Sequence, residues 1–193
     1  MKLEQKIGVI GNGFVGGAVQ FGFSHKVGCE AEVRVYDKNP SKSTHTLEET
    51  VNESDFIFLS VPTPANKNGS INLDILRQAL EDINQVHEGK DNAILIRSTV
   101  VPGTTWSLQC EYPQLNILFN PEFLTERSAN FDFINQSRFV IGNSGKQISW
   151  AKSEDFVELI KDRFGDCVSI LQTNYETAEF IKYMSNCFFA TKV

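Results

Sequence analysis

A chain of 193 residues can form one well-packed domain and is short for two domains of typical size. Hydrophobic residues make up 41% of the chain and charged residues 22%, which is ordinary for a globular protein. A net charge of −6 argues against a nucleic-acid partner, which favours a basic surface. No apolar run approaches the roughly 20 residues that span a bilayer, so we expect no membrane partner.

The first predicted strand, residues 7–11, runs directly into a glycine-rich turn. Gly11, Gly13 and Gly16 have the spacing Gly-x-Gly-x-x-Gly, and a helical pattern follows them. Gly11 allows the tight turn, Gly13 leaves room for a pyrophosphate beside the backbone, and Gly16 lets the helix lie close to the strand. The start of that helix offers free N–H groups and a partial positive charge to phosphates.

A second predicted strand, residues 32–37, ends in Asp37, which lies 21 residues after Gly16. A carboxylate at this distance can accept hydrogen bonds from both adenosine ribose hydroxyls, and it repels a 2′-phosphate. The turn and Asp37 together therefore predict NAD, rather than NADP, as the cofactor. The alternative is an ordinary glycine turn in an α/β domain with a surface aspartate.

Strand and helix patterns alternate along the rest of the chain. Further strands are predicted at residues 55–61, 92–96, 115–119, 138–142 and 167–171. Helices are predicted near residues 41–53, 72–87, 104–111 and 148–164. The last helix begins near residue 173, where Thr173 and Asn174 are rival N-cap residues. This alternation predicts an α/β fold, a Rossmann-type, doubly wound, mainly parallel sheet with helices on both faces.

Three strands end in loops rich in hydroxyls, prolines and carboxylates, at residues 61–70, 97–105 and 120–130. Ligands of doubly wound sheets bind at these carboxyl ends. Glu122 and Glu126 are four residues apart, so on a helical turn they would face the same way, as suits a general base beside a like charge. The alternative is a helix N-terminal turn whose acids favour the helix dipole.

On the last helix, Glu179, Lys182 and Asn186 fall on one stripe, and the alternative is an exposed Glu–Lys pair with no further role. Four cysteines form no Cys-x-x-Cys pair and no metal-ligand spacing with the three histidines. We therefore predict no metal site, and we expect reduced thiols in a cytoplasmic protein.

Five motifs occur in a fixed order: Gly11-Asn12-Gly13-Phe14-Val15-Gly16, Val61-Pro62-Thr63-Pro64, Ser98-Thr99 with Pro102-Gly103-Thr104-Thr105, Asn120-Pro121-Glu122-Phe123-Leu124-x-Glu126, and Glu179-x-x-Lys182-Tyr183-x-x-Asn186. With this order and spacing, essentially the whole chain resembles the N-terminal domain of the UDP-glucose/GDP-mannose (nucleotide-sugar) 6-dehydrogenases. The resemblance implies oxidation of a sugar C6 alcohol to a carboxylate with two NAD⁺, through a covalent thiohemiacetal and thioester on a cysteine.

The resemblance also implies residue roles. The pyrophosphate would be held by Gly11, Gly13, Phe14, Val15 and Gly16. Asp37 would bind the adenosine ribose. The rest of the cofactor would be lined by Val61, Thr63, Ser98 and Glu126, of which Glu126 would lie near the nicotinamide. Thr99 would orient the hydrolytic water, and Glu122 would be the general base. Lys182 and Asn186 would stabilise the oxyanion. Phe123 and Leu124 would contact the nucleotide sugar.

The family's nucleophile lies in a Gly-Gly-x-Cys-x-x-Lys-Asp motif, which none of the four cysteines matches. We therefore expect a truncated protein, with the NAD-binding domain at residues 1–172, the start of a central dimerisation helix at 173–193, and no nucleotide-sugar domain. Such a chain would be inactive alone, and the full-length enzyme would be a homodimer. Two alternatives remain, a stand-alone non-catalytic NAD-binding module and another Rossmann dehydrogenase of the 3-hydroxyacyl-CoA or 6-phosphogluconate type.

Overall fold

The computed structural model describes residues 5–192 and contains one seven-stranded sheet with helices on both faces. The strands are β1 (Lys6–Ile10), β2 (Glu32–Tyr36), β3 (Phe56–Leu59), β4 (Ala93–Ile96), β5 (Ile117–Phe119), β6 (Arg138–Asn143) and β7 (Ser169–Asn174). The helices are α1 (Phe14–Gly22), α2 (Leu47–Asn52), α3 (Asp74–Val86), α4 (Thr104–Glu111), α5 (Ala129–Ile134), α6 (Gln147–Phe164) and α7 (Tyr175–Lys192).

The strand order is β2-β1-β3-β4-β5-β6-β7, and every neighbouring pair is parallel except β5 with β6. Strand β1 pairs with β2 on one side and with β3 on the other. The connections after β1 and β3 therefore leave in opposite directions, which opens a crevice at the carboxyl ends of these strands. The Rossmann-type, mainly parallel sheet predicted from the alternating patterns is confirmed.

Apolar side chains fill both faces of the sheet. On one face α3 buries four apolar residues at helical spacing, Leu76, Ala79, Leu80 and Ile83, and the half-buried Leu73 packs against the same cluster. On the other face α6 buries Phe156, Leu159 and Ile160 in a second cluster of aromatic and aliphatic residues, and its half-buried Phe164 packs against that cluster. At about 25 cal/mol per Å² of buried apolar surface, these two layers are the main source of the fold's stability.

Two of the predicted elements have a boundary that differs from the structure by more than two residues. The helix predicted over residues 41–53 is a short 3₁₀ turn at Pro40–Lys42 followed by α2. The pattern is interrupted because Thr44 donates its backbone N–H to Val35 in β2, and because Thr46 and Glu49 form a reciprocal capping box that starts a new helix.

The last strand was predicted to end at residue 171, and β7 instead continues to Asn174 because it pairs with β6 along its whole length. Helix α7 follows without a loop. The Asn174 side chain accepts a hydrogen bond from the backbone N–H of Thr177 at 2.8 Å, so Asn174 rather than Thr173 is the N-cap. Tyr175 and Ala178 then pack into the core beside the sheet.

Within residues 5–192, no helix combines the length and the apolar character that crossing a membrane requires. The same part of the chain holds no group of three or more histidine, cysteine, aspartate or glutamate residues arranged to bind a metal ion.

Candidate active site

A cavity of about 470 Å³ lies in the crevice at the carboxyl ends of β1, β3 and β4. Ten of the predicted site residues line it: Gly11, Gly13, Phe14, Val15, Asp37, Val61, Thr63, Ser98, Thr99 and Glu122. Six others lie outside its lining: Gly16, Phe123, Leu124, Glu126, Lys182 and Asn186. The fold thus brings the glycine-rich turn, the acid after β2 and one of the two predicted carboxylates of the Asn-Pro-Glu-Phe-Leu loop into one concave site.

The three glycines of the turn have different surroundings. Gly11 has a φ of +89°, and a Cβ there would overlap the carbonyl of Ser60. A Cβ at Gly16 would overlap the carbonyl of Gly11, so this glycine allows α1 to approach β1. A Cβ at Gly13, in contrast, would meet no atom of the described residues within 4 Å. Protein packing therefore requires the first and third glycines, whereas the second borders open space where a phosphate could approach.

Asp37 follows β2, and its side chain joins the end of β2 to the glycine-rich turn after β1. Its carboxylate accepts the backbone N–H of Asn12 at 2.7 Å, within the glycine-rich turn, and that of Asn39 at 2.8 Å. A carboxylate has about four acceptor positions, so capacity remains for ligand hydroxyls. The same side chain can therefore hold the turn in place and bind a ribose.

Two hydrogen bonds fix the loops after β3 and β4 to each other. The Thr63 hydroxyl donates to the carbonyl of Thr99 at 2.7 Å, and the Ser98 hydroxyl donates to the carbonyl of Val61 at 2.6 Å. Two of the predicted motifs thus form one wall of the cavity, which consists of Val61, Thr63, Ser98 and Thr99.

Glu122 and Lys182 form an ion pair at the edge of the cavity. Lys182 Nζ lies 3.0 Å from Glu122 Oε1, and only 5% and 12% of the respective side chains are exposed. The other carboxylate oxygen of Glu122 accepts the backbone N–H of Leu124 at 2.7 Å. The carboxylate is therefore held from two sides, by a buried cation from α7 and by its own loop.

The prediction that Glu122 and Glu126 share a helical turn is wrong. Residues 120–125 form a loop that is not helical, and Glu126 is exposed at the start of a 3₁₀ turn, Glu126–Ser128. Pro121 disfavours helical geometry at Asn120, whose backbone N–H instead donates to the carbonyl of Ile96, the last residue of β4.

Glu179 is also buried, and it does not pair with Lys182, so the alternative of an exposed Glu–Lys pair is wrong. Its carboxylate accepts the backbone N–H groups of Gly103 at 2.6 Å and of Thr105 at 2.7 Å, and the Thr105 hydroxyl at 2.6 Å. Loss of hydration on burial raises the pKa of Glu179 in spite of these bonds. Asn186, further along α7, is exposed.

Phe123 lies between two cations. Its ring centroid is 4.6 Å from the guanidinium carbon of Arg138 and 5.4 Å from Lys182 Nζ. The neighbouring Leu124 is half-buried and packs beside the second core layer. Both predicted substrate residues therefore flank the Glu122–Lys182 pair rather than the cavity itself.

Sequence reasoning assigned no role to Arg97 or Asn120, which the structure buries together beneath the site. The Arg97 guanidinium donates to the Asn120 side-chain oxygen, and the Asn120 amide donates to the carbonyl of Val140. The sequence did carry a signal for Arg97, because a charged residue directly follows the four apolar residues of β4.

A doubly wound sheet, a glycine-rich turn opening α1 and a cavity at the strand switch point define a dinucleotide-binding domain of the dehydrogenase type. The model of the UDP-glucose/GDP-mannose dehydrogenase family, NAD binding domain, matches residues 41–160. The chain belongs to this family and is its N-terminal, NAD-binding domain.

The relatives agree with this assignment. The UDP-glucose 6-dehydrogenase of Rickettsia prowazekii is 31% identical over 95% of this chain and 48% of its own length. The UDP-glucose dehydrogenase of Pyrobaculum islandicum superimposes with a TM-score of 0.79 at 25% identity, over all of this chain and 52% of that one. The GDP-mannose dehydrogenase of Pseudomonas aeruginosa has a TM-score of 0.81 at 23% identity, over 96% and 50%. The chain spans about half the length, or less, of the curated relatives it matches.

Proposed function

We propose that this chain supplies the NAD site and part of the catalytic machinery of a nucleotide-sugar 6-dehydrogenase of the UDP-glucose type. Such an enzyme oxidises the sugar C6 alcohol to a carboxylate with two NAD⁺. The observation that carries the proposal is the position of Glu122, which is paired with Lys182 and lines the same cavity as Gly13 and Asp37. A carboxylate fixed in this way beside a dinucleotide site is suited to proton transfer.

The residues around the cavity fit NAD. The open space beside Gly13 and the N-terminal N–H groups of α1 would accept the pyrophosphate. Asp37 would bind the adenosine ribose, and the wall formed by Val61, Thr63 and Ser98 would face the rest of the cofactor. Glu126 is exposed, and its place near the nicotinamide stays a prediction.

Bound NAD⁺ supplies the hydride acceptor, and the chain's own residues would manage protons and charge. In thioester hydrolysis, Thr99 would orient a water molecule that loses its proton to Glu122. Lys182 has further N–H donors beyond the one on Glu122, and with Asn186 it would stabilise the developing oxyanion. Phe123 and Leu124 would contact the nucleotide sugar. The nucleophilic cysteine would come from a further domain, so we expect no sustained turnover from residues 1–193 alone.

Helix α7 (Tyr175–Lys192) would form the start of the central helical region that is predicted at residues 173–193. Five large hydrophobic side chains on it are exposed in the described chain: Phe180, Tyr183, Met184, Phe188 and Phe189. We expect the full-length enzyme to cover them in a homodimer in the cytoplasm. The match to the dehydrogenase family disfavours another Rossmann dehydrogenase, whereas a stand-alone NAD-binding module remains the second candidate.

We expect wild-type protein to bind NAD⁺ more tightly than NADP⁺, and Asp37→Ala to weaken NAD⁺ binding by about tenfold or more. The substitution removes the ribose acceptor and also the bond to the Asn12 N–H. Asp37→Asn, which keeps an acceptor oxygen for the turn but loses the charge, is the control. Isothermal titration calorimetry measures all affinities, and equal NAD⁺ and NADP⁺ affinities in the wild type would contradict the cofactor assignment.

Gly13→Ala should weaken NAD⁺ binding by about tenfold while changing the free energy of unfolding by less than about 0.5 kcal/mol. The added methyl group meets no described protein atom and would intrude only on a bound pyrophosphate. Gly16→Ala is the matched control, because its methyl group overlaps the Gly11 carbonyl and should cost about 1–3 kcal/mol of stability. Urea denaturation and calorimetry separate the two effects, and unchanged NAD⁺ affinity in Gly13→Ala would count against pyrophosphate binding at the turn.

A further inference from the structure

Arg97 is a buried cation whose hydrogen-bonding capacity is largely unused. It follows β4 directly, lines the cavity and is 1% exposed. One terminal nitrogen donates to Asn120, whereas Nε and Nη2 have no hydrogen-bond partner among residues 5–192. Buried polar groups are normally hydrogen-bonded, and here both unpaired donors are also shielded from solvent, so neither the protein nor water fully compensates the guanidinium charge.

The surroundings of Arg97 compensate its charge only in part. Its guanidinium carbon lies 5.7 Å from the ring centroid of Phe58 and 5.8 Å from that of Phe133. Burial lowers the pKa of Arg97 to about 10, against the opposing effect of the Glu122 carboxylate. The guanidinium is therefore still charged at neutral pH. Because Glu122 already pairs with Lys182, this group of three charges carries a net positive charge.

The position of Arg97 within the cavity indicates which part of a dinucleotide it would meet. This step rests on the proposed NAD site. Asp37 marks the adenosine end, at β2, whereas Arg97 lies with Ser98, Thr99 and Glu122 at the β4 and β5 end. A dinucleotide bound across the strand ends with its adenosine at Asp37 would place its nicotinamide half at that second end.

We propose that Arg97 is a specificity-determining residue beside the nicotinamide half of the cofactor and that it favours the reduced cofactor over the oxidised one. Its Nε and Nη2 are shielded from solvent, so Arg97 would act through its charge rather than through a hydrogen bond to the cofactor. Its charge would distinguish the two states, because the oxidised ring is a cation and the reduced ring is neutral. In a site of low dielectric constant the repulsion between two cations is far stronger than in water.

The test compares Arg97→Met with Arg97→Lys in the 193-residue chain. Calorimetry gives the dissociation constants for NAD⁺, NADH and ADP-ribose, which lacks the nicotinamide. Arg97→Met should reduce the preference for NADH over NAD⁺ by roughly tenfold, because the cation is gone. Arg97→Lys should keep most of that preference. ADP-ribose should bind all three proteins within about twofold, since it lacks the ring whose charge distinguishes the two redox states.

An NADH preference in Arg97→Met equal to that of the wild type would overturn the inference. So would a change in ADP-ribose affinity as large as the change in NAD⁺ affinity, because the effect would then not depend on the nicotinamide ring. Failure of the wild type to bind any of the three ligands would instead overturn the proposed NAD site. If Arg97→Met does not fold, Arg97→Gln, which keeps a donor without the charge, provides the same comparison.

Discussion

Replacing Lys182 by methionine should lower the free energy of unfolding by about 3–5 kcal/mol. Methionine keeps the length of the side chain but leaves the Glu122 carboxylate, only 12% exposed, without its cation. An uncompensated charge in that position costs more than the pair itself contributes, because the carboxylate has lost most of its water. Urea denaturation at pH 7 measures the loss.

Two controls distinguish the cost of leaving a buried carboxylate unpaired from the cost of losing an ion pair alone. Arg77→Met breaks a pair with Glu111 in which both side chains are about 40% exposed, and it should cost only about 0–1 kcal/mol. The double substitution Glu122→Gln/Lys182→Met should recover most of the lost stability, because a neutral amide needs no counter-charge. Equal losses in Lys182→Met and Arg77→Met would show that the Glu122–Lys182 pair is effectively solvated.

Replacing Glu179 by alanine should lower the free energy of unfolding by about 3 kcal/mol, because three donors lose their acceptor. Two of these donors are backbone N–H groups at the start of α4, from Gly103 and Thr105. Thr105→Val removes only the hydroxyl bond and should cost about 1 kcal/mol, which makes it the matched control. A smaller loss in Glu179→Ala than in Thr105→Val would contradict the anchoring role of the carboxylate.

The raised pKa of the Glu179 carboxyl group makes the free energy of unfolding depend on pH. Burial raises the pKa of Glu179 above its usual value, so the folded state holds a proton that the unfolded chain has already released. The resulting stabilisation is complete below the unfolded pKa and is lost as the pH rises through the folded pKa. Measured between about pH 4 and pH 8, the stability of the wild type relative to Glu179→Gln should therefore fall as the pH increases.

The sequence was most informative where local rules and the fold agree. The buried strands, the α3 stripe and the Gly-x-Gly-x-x-Gly turn each follow from periodicity or from backbone geometry within a few residues. These signals suffice for the Rossmann-type sheet and for the cavity at its carboxyl edge. The place of Asp37 beside the turn follows in the same way, because β1 and β2 are neighbours joined by one helix.

The remaining features depend on contacts between residues far apart in sequence. Nothing local indicates that Lys182 pairs with Glu122, or that Glu179 reaches Gly103, since these partners are 60 and 76 residues apart. Helical spacing predicted that Glu179 and Lys182 lie on one stripe. In the structure Glu179 accepts hydrogen bonds at the start of α4, whereas Lys182 pairs with Glu122. The burial of Arg97 likewise arises only when α5 brings Phe133 over the sheet.

Helix α7 is attached to the site at two points one turn apart, by Glu179 to the start of α4 and by Lys182 to the loop after β5. Undocking its first half would release both loops at once, so helix docking and the shape of the carboxyl edge of the sheet form one cooperative unit. A ligand that binds only the assembled edge therefore also stabilises the docked helix, by mass action. Ligand occupancy at the strand ends and the order of α7 are in this way thermodynamically linked.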